Sequence, residues 1–435
     1  MIKRLCFLLA LPLMMLSFET TAQVDRTPKV VDSEELGRMN AVKKAHQMTD
    51  LPISPVSTLY AHKGKSYKKG KKETGVIYSS ARELDCFVGQ DVSFHTFMTA
   101  LHNPRSVLYT DRIDKPPYHG SNCGAYYGTV CSGLITYALG ISVTQRSADI
   151  LVSDDYELIK DQSARGIRIA DLICKNGHPR LVTGMDKNRD GSIKSVEISV
   201  AASKGCRRYK VEGEKAFNEL LKKNNYQIYR YKNLSKNLSY TPANEFVAVE
   251  GEKSVSFVYN DDICANKGDK ACYISGEKVV LNVAKGYEKV EVYKDSKLYK
   301  TISIGKQLDI ILKDLPYGDY RARVVNVGNN QKSDYTYWKV IDVNVRIDGK
   351  NNRIYFSSAN AKPIYYEFCN ISGGRPTNKN RVYAAEFTEK ERRNGYVDVN
   401  TPGKPIQTTR KHPYVKVHFE CDYGRVINKP IKWFE

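Results

Sequence analysis

From Val247 onward the chain is written almost entirely in a period of two. Segments such as "SVSFVY", "KVVLNVA", "KVEVYKD" and "YRARVVNV" alternate, favour β-branched and aromatic residues, and are punctuated by Gly, Asp and Asn. Alternation sends successive side chains to opposite faces of a strand, and a half-apolar sheet buries its apolar face only against another layer. No segment of helical period and length interrupts the run between Val247 and Val343. The pattern predicts a β-sandwich over residues 246–345. "RIYFSS", "PIYYEFC", "YVDVN" and "YVKVHFEC" carry the same texture through 346–435 and predict a second. The two share an architecture without being sequence repeats.

The opposite end has another character. Lys3 and Arg4 precede an apolar stretch over 5–18, and "TTA" stands before Gln23. A charged region, an apolar region and small residues in that order are those of a secretory signal peptide, expected over 1–22. Cys6 lies inside the apolar stretch rather than at the cleavage point, which argues against a lipid-modified cysteine. No later stretch approaches the ~18 apolar residues of a membrane span. The expectation is an exported protein, in a periplasm or at a cell surface.

Export places the cysteines in an oxidising compartment. The chain has 10 cysteines, and setting aside Cys6 leaves an odd number. Cys264 and Cys272, in "CANKGDKAC", are close enough for a small looped disulfide, and Cys369 with Cys421 would bridge the last domain. Cys86, Cys123, Cys174 and Cys206 would supply two more pairs, of open connectivity. That leaves Cys131 over. The formal net charge is +20, spread along the chain rather than clustered. For an exported protein this disfavours nucleic acid and suits anionic envelope polymers or membrane surfaces.

Residues 33–48 place Leu36, Met39, Val42 and Ala45 at helical spacing, with Asp32 or Ser33 as N-cap. With the basic loop "HKGKSYKKGKK" they form an N-terminal segment, 23–72, expected to pack on the domain that follows. Residues 73–232 mix helical and strand signals, an α+β pattern. "FHTFMTALHNP" reads as a short helix stopped before Pro104, and "KAFNELLKKNNYQIYRYK" as a helix running into a strand. The polar stretch 233–245, with two Asn-Leu-Ser repeats, reads as a linker.

The chemistry concentrates in "PPYHGSNCGAYYGTVCSGLITYALGI", residues 116–141. Leu134, Ile135, Ala138 and Leu139 are helically spaced and Gly140 is a suitable stop, so Cys131 opens a buried helix. A helix N-terminus lowers a thiol pKa and supplies N–H donors for an oxyanion. The same position also suits a small buried thiol that only fills a helix start. A cysteine nucleophile needs a base. His178 stands where the Asn176-Gly177 loop opens the apolar run "PRLVTGM". His119, shortly before Cys131, is its rival; His46 and His62 fall in the N-terminal segment, His412 and His418 in the β-rich region.

These residues, in this order, resemble the NlpC-type cell-wall cysteine peptidases of the papain-like superfamily. Cys131-Ser132-Gly133-Leu134 is similar to the family's nucleophile motif, Ala170-Asp171-Leu172-Ile173 to its "GDL" strand, and Gly177-His178 to its histidine motif. Pro117-Tyr118 lies near the family's Pro-Tyr spacing, and Tyr78 fills that substrate-binding role if 80–117 are an insertion. The resemblance covers roughly residues 70–232. It implies a papain-like catalytic domain that cuts peptidoglycan stem peptides through a thioacyl intermediate, with Cys131 as nucleophile, His178 as general base and acid, and no cofactor. The two trailing domains resemble immunoglobulin-like sandwiches, expected to position the enzyme or bind glycan or an envelope protein.

A third polar residue on the next strand should orient the imidazole. Folding 178–200 as a hairpin sets His178 roughly opposite 199–201, which makes Glu197 the stronger acceptor and Ser199 the closer alternative. The turn itself, "DKNRDGSIKSVE", matches a calcium-loop pattern through Asp186, Asn188, Asp190, Gly191 and Glu197. Its flanks read as strands, whereas an EF-hand needs helices, so a hairpin turn is expected and no metal. Two other functions fit the same residues: a catalytically degenerate papain-like fold serving as an envelope scaffold, and a Cys–His amidase or acyltransferase.

Overall fold

The computed structural model describes residues 32–56, 58–60, 66–78, 87–92, 94–102, 128–142, 150–151, 153–175, 178–237, 262–265, 270–306, 308–369, 384–399, 414–428 and 431–433. The expected signal peptide, Cys86, Tyr118, His119, Cys123 and all of the linker beyond residue 237 lie outside them.

The N-terminal half is built on a six-stranded antiparallel sheet. Its strands are β1 (Tyr156–Leu158), β2 (Leu172–Cys174), β3 (Arg180–Lys187), β4 (Ile193–Ala202), β5 (Gly205–Glu212) and β6 (Gln227–Tyr231), in the spatial order β1-β6-β2-β3-β4-β5. Consecutive hairpins lay down β2 to β5, and β6 returns between β1 and β2. Alternation divides the core in two. Leu172, Leu181, Ala201 and Cys206 face helices α1 (Ser33–Asp50) and α3 (Cys131–Ala138), with α2 (Phe94–His102) in the same core. Ile173, Val182, Ile198 and Ile228 face Phe217 and Leu221 of α4 (Glu214–Asn224).

Helix α1 forms where its periodicity predicts, but it turns a different face inward. Met39 is exposed, while Gly37, Arg38, Ala41, Lys44, Ala45 and Met48 are buried. The expected linker explains the change. Its first Asn-Leu-Ser is a turn of 3₁₀ helix (Leu234–Lys236) packed on α1, so close that a Cβ on Gly37 would lie 1.9 Å from the Leu234 carbonyl oxygen. Asn237 is buried there. It accepts from Lys44 Nζ at 2.8 Å, donates to the Gly37 and Ala138 carbonyls, and offers its own carbonyl to Asn40. Every polar group that enters is met by a partner.

The second half stacks sheets, as its alternation predicts. Strands β7 (Ile263–Ala265), β8 (Ala271–Ile274), β9 (Val279–Val283), β10 (Lys289–Lys294), β11 (Lys297–Ser303), β12 (Asp309–Leu312), β13 (Gly318–Asn326) and β14 (Thr336–Asp348) make the first sandwich. A β7-β9-β12 sheet covers a β11-β10-β13-β14 sheet, with Trp338 and Tyr320 stacked 5.4 Å apart in the core. Strand β8 joins β14 in parallel. The 13-residue β14 then continues into the next layer, where Asp342 to Asp348 pair with β15 (Arg353–Ala359). One strand thus serves both sandwiches, with no linker between. The second sandwich adds β16 (Lys362–Cys369), β17 (Ala384–Glu386), β18 (Tyr396–Asp398), β19 (Tyr414–Cys421) and β20 (Gly424–Ile427) around Phe356, Tyr366, Phe368, Val417 and Trp433.

The disulfide pairing differs from the expectation. Cys272 bonds to Cys421, tying β8 of the first sandwich to the end of β19 in the second. Cys264 and Cys369 are buried thiols, as are Cys174 and Cys206. The short Cys264–Cys272 loop misled because its two cysteines enter opposite sheets: Cys264 pairs with Asn282 on β9, Cys272 with Lys339 on β14.

Candidate active site

Helix α3 begins at Cys131 because Val130 is extended (φ −117°, ψ 176°), and it ends where Gly140 takes a positive φ of 70°. All eight of its residues are buried, and Cys131 keeps 8 % of its surface. The tight entry requires Gly133, where a Cβ would meet Thr129 Oγ1 at 2.4 Å. Tyr78 bridges Thr129 in parallel, and the Thr129 N–H donates to the Ile77 carbonyl at 3.0 Å. The structure thus brings Tyr78 beside the residues that lead into Cys131.

Cys131 lies over the sheet among two further thiols. Burial pushes the Cys174 thiol up to about 12, and the nearness of Cys131 adds to it. Cys206 is pushed up by the same two causes in the same order. Ala201 pairs with Cys206, Leu181 with Ser199 and Ile173 with Arg180. Extending these registers by one step or two sets Cys174, Pro179, Ala201 and Cys206 in one row across the sheet. Adjacent strands are ~4.8 Å apart, so Cys174 and Cys206 are too distant to bridge, while Cys131 is near enough to both to raise their thiols.

His178 lies one residue beyond that row. Its N–H donates to the Lys175 carbonyl at 3.0 Å, closing the β2–β3 turn, and its side chain is exposed. Arg180, two residues on, lies over the Tyr226 ring at 4.9 Å with Lys175 at 5.1 Å, which marks the α4 side of the sheet. His178 stands two residues before the first strand residue, Arg180, in the turn that leads into β3.

Glu197 is not its partner. Glu197 pairs with Gly184, six residues along from His178 and about 20 Å away at ~3.3 Å per residue. The expected hairpin is present, but a bulge between Val182 and Gly184 shifts its register. Glu197 instead receives His46 at 2.9 Å, Arg208 at 3.1 Å and the Thr183 hydroxyl at 3.1 Å. Burial alone would raise its pKa; Arg208 and His46 outweigh that and hold the carboxyl below its ordinary value. Ser199, the alternative, is fully buried and bonded to Thr183 Oγ1 at 3.0 Å. Arg208 extends the network to Asp50 at 2.8 Å. His46 and Asp50 share one face of α1 at i, i+4, the only local sign of this cluster in the sequence.

The calcium-like turn is flanked by strands β3 and β4. Asp186 takes Ser195 at 2.7 Å and Lys210 at 3.0 Å, and Asp190 takes the Ser192 hydroxyl and N–H. Gly191 supplies the positive φ of 82° that the turn needs. Among the described residues no group of acids, histidines or cysteines is arranged to hold a metal.

Asp171 is fully buried and bound by Arg230 at 2.7 Å and by Arg38 at 3.4 Å. Before it, Ala170 adopts φ +67°, a conformation that favours glycine. A separate buried cluster lies in the second sandwich, on the face of β16 and β19 turned from the core. Glu367 there approaches His418 at 3.3 Å and Lys416 at 3.7 Å, with Tyr365 stacked on the imidazole. Glu367, Lys416 and His418 are all buried.

No protein-family model matches the chain, and no curated protein matches it in sequence. Among solved structures it is similar to the fibronectin(III)-like modules of Clostridium thermocellum CbhA, at 13% identity and a TM-score of 0.19, over 39% of this chain and 90% of that one. It is similar to the CD2-binding domain of CD58 at 7% identity and a TM-score of 0.17, over 37% and 95%. The three N-terminal domains of the bacteriophage RB49 outer capsid protein Hoc match at 13% and 0.16, over 39% and 58%. No helix among the described residues is long and apolar enough to cross a membrane.

Proposed function

We propose that the chain is an exported cysteine peptidase of the NlpC type that cleaves peptidoglycan stem peptides. One observation carries the reading: Cys131 opens a buried helix and is near enough to Cys174 to raise its thiol, and Cys174 leads straight into the turn bearing His178. Ala170 supports it, since the resembled "GDL" motif has glycine where this chain holds a left-handed backbone. In this reading Cys131 Sγ attacks the scissile carbonyl while His178 takes the thiol proton, and N–H groups of the first turn of α3 receive the oxyanion. His178 then protonates the leaving amine, and water releases the thioester. Glu197 and Ser199 have no part in it, and the pair works as a dyad.

The engagement of Glu197 by His46 and Arg208 favours a second reading, a papain-like scaffold without activity. Alkylation and hydrolysis assays separate the two. Cys131 should react with iodoacetamide faster than a simple thiol near neutral pH, and His178→Ala should shift that profile upward. Stem peptides containing γ-linked D-glutamate should be cut by the wild type and not by Cys131→Ala. A Cys131 that alkylates no faster than its buried neighbours, with no peptide cut, would leave the scaffold.

A further inference from the structure

The outward face of the β11-β10-β13-β14 sheet carries a file of cations threaded with tyrosines. Register sets them in rows: Lys289 opposite Val325 and Val325 opposite Lys332, then Glu291 opposite Arg323, then Tyr293 opposite Arg321 and Arg321 opposite Tyr337. Two residues along a strand advance ~7 Å, so the file runs about 13 Å from the lysine row through Arg323 to Arg321. Lys289 and Lys332 are exposed; Tyr293, Arg321, Arg323, Tyr335 and Tyr337 are partly so. Leu298, across from Tyr293, is 57% exposed.

The two arginines differ in their pairing. Arg323 is bound to Glu291 at 2.7 Å. Arg321 has no carboxylate partner among the described residues, and its Nε is buried without an acceptor. Its guanidinium carbon lies 4.5 Å from the Tyr335 ring centre and 5.3 Å from that of Tyr293, two rings that meet edge to face at 5.7 Å. Stacking of this kind holds the planar fork still and leaves its outer N–H groups to an incoming anion.

We infer that this face binds an acidic polysaccharide, with Arg321 receiving a carboxylate and the tyrosines and Leu298 lying against the sugar rings. A fixed guanidinium fork matches carboxylate geometry bidentately. Rings and an exposed aliphatic group beside it suit the C–H faces of sugars, and cations repeated along one line suit a polymer better than a single ion. The inference stands independently of the peptidase reading.

The +20 charge of the chain attracts any polyanion, so the test must isolate the face from the general field. The full chain is titrated with polygalacturonate at fixed salt, with neutral dextran as blank. Arg321→Gln should weaken binding about tenfold and Arg321→Lys by several-fold, since lysine keeps the charge and loses the fork. Lys215→Gln with Lys222→Gln, on α4, should change it less than about twofold. Circular dichroism checks each variant's fold, and Arg321→Lys carries the test if the glutamine variant unfolds. Equal losses from the α4 pair and Arg321→Gln would overturn the site. Polyphosphate, single-stranded DNA or anionic vesicles binding as tightly, with the same Arg321 dependence, would overturn the sugar.

Discussion

Glu197 Oε1 lies 2.9 Å from His46 Nε2, and the same carboxylate holds Arg208 at 3.1 Å. A residue of β4 thus pins α1, which packs on the same face of the sheet as the Cys131 helix, to the neighbouring strand β5.

Glu197→Gln should therefore cost stability and not chemistry. We expect a loss of about 1–2 kcal/mol at pH 7 in urea unfolding. Burial raises the carboxyl, but Arg208 and His46 bring it below its ordinary 4.5. A depressed acid stabilises above its unfolded pKa and loses that contribution as pH falls through the folded one. The gap between wild type and variant should accordingly be steady above pH 4.5 and close below it. Alkylation of Cys131 should stay within about twofold of the wild type, since both groups act far apart. A collapse of alkylation in a folded variant would return Glu197 to the site.

Lys44 gives the opposite pH signature. Burial brings its pKa down to about 8 from 10.5. Between those values the unfolded chain binds a proton that the native state has released, so stability rises with pH across the window. Relative to Lys44→Met, the wild type should gain up to ~3 kcal/mol from pH 8 to 10.5. A flat difference across that range in chemical denaturation would show that Lys44 keeps its ordinary affinity for the proton.

The Cys272–Cys421 bond closes a sequence separation of 149 residues across both sandwiches. Loop closure on that scale is worth about 3–5 kcal/mol in the unfolded state. Cys272→Ser with Cys421→Ser should lower the midpoint of the β-sandwich transition in calorimetry. An unchanged midpoint under oxidising conditions would mean that the native pairing adds nothing to stability.

Gly37→Ala tests the clasp between α1 and the Leu234 turn. The new Cβ would lie 1.9 Å from a backbone oxygen, which no rotamer change relieves. A loss of about 3 kcal/mol is expected, at the upper end for overpacking. Helix propensity alone would make the same change stabilising by up to ~1 kcal/mol, so the sign of the thermal shift decides.

The elements were largely legible because their signals are local. Cys131 opens α3 and Gly140 ends it, since a helical apolar spacing and a left-handed stop are written within ten residues. The β3–β4 hairpin forms about Asn188 and Gly191, as its Asp-Gly turn indicates. The inward face of α1 was not legible. It buries Arg38, Asn40 and Lys44, and those cations and amides become interior residues only because Asp171, far along the chain, and Asn237 arrive to satisfy them.

The amino-acid sequence by itself determined where strands and helices run, that the second half stacks as sandwiches, and that one cysteine opens a buried helix. Tertiary structure alone decided the partners. The register of β3 against β4 set Glu197 opposite Gly184, where it meets His46 and not His178, and the split of β7 and β8 between two sheets sent Cys272 to Cys421. The reason is physical. Period and turn chemistry act within a few residues, whereas an ion pair or a disulfide depends on register and sheet membership summed over the whole chain.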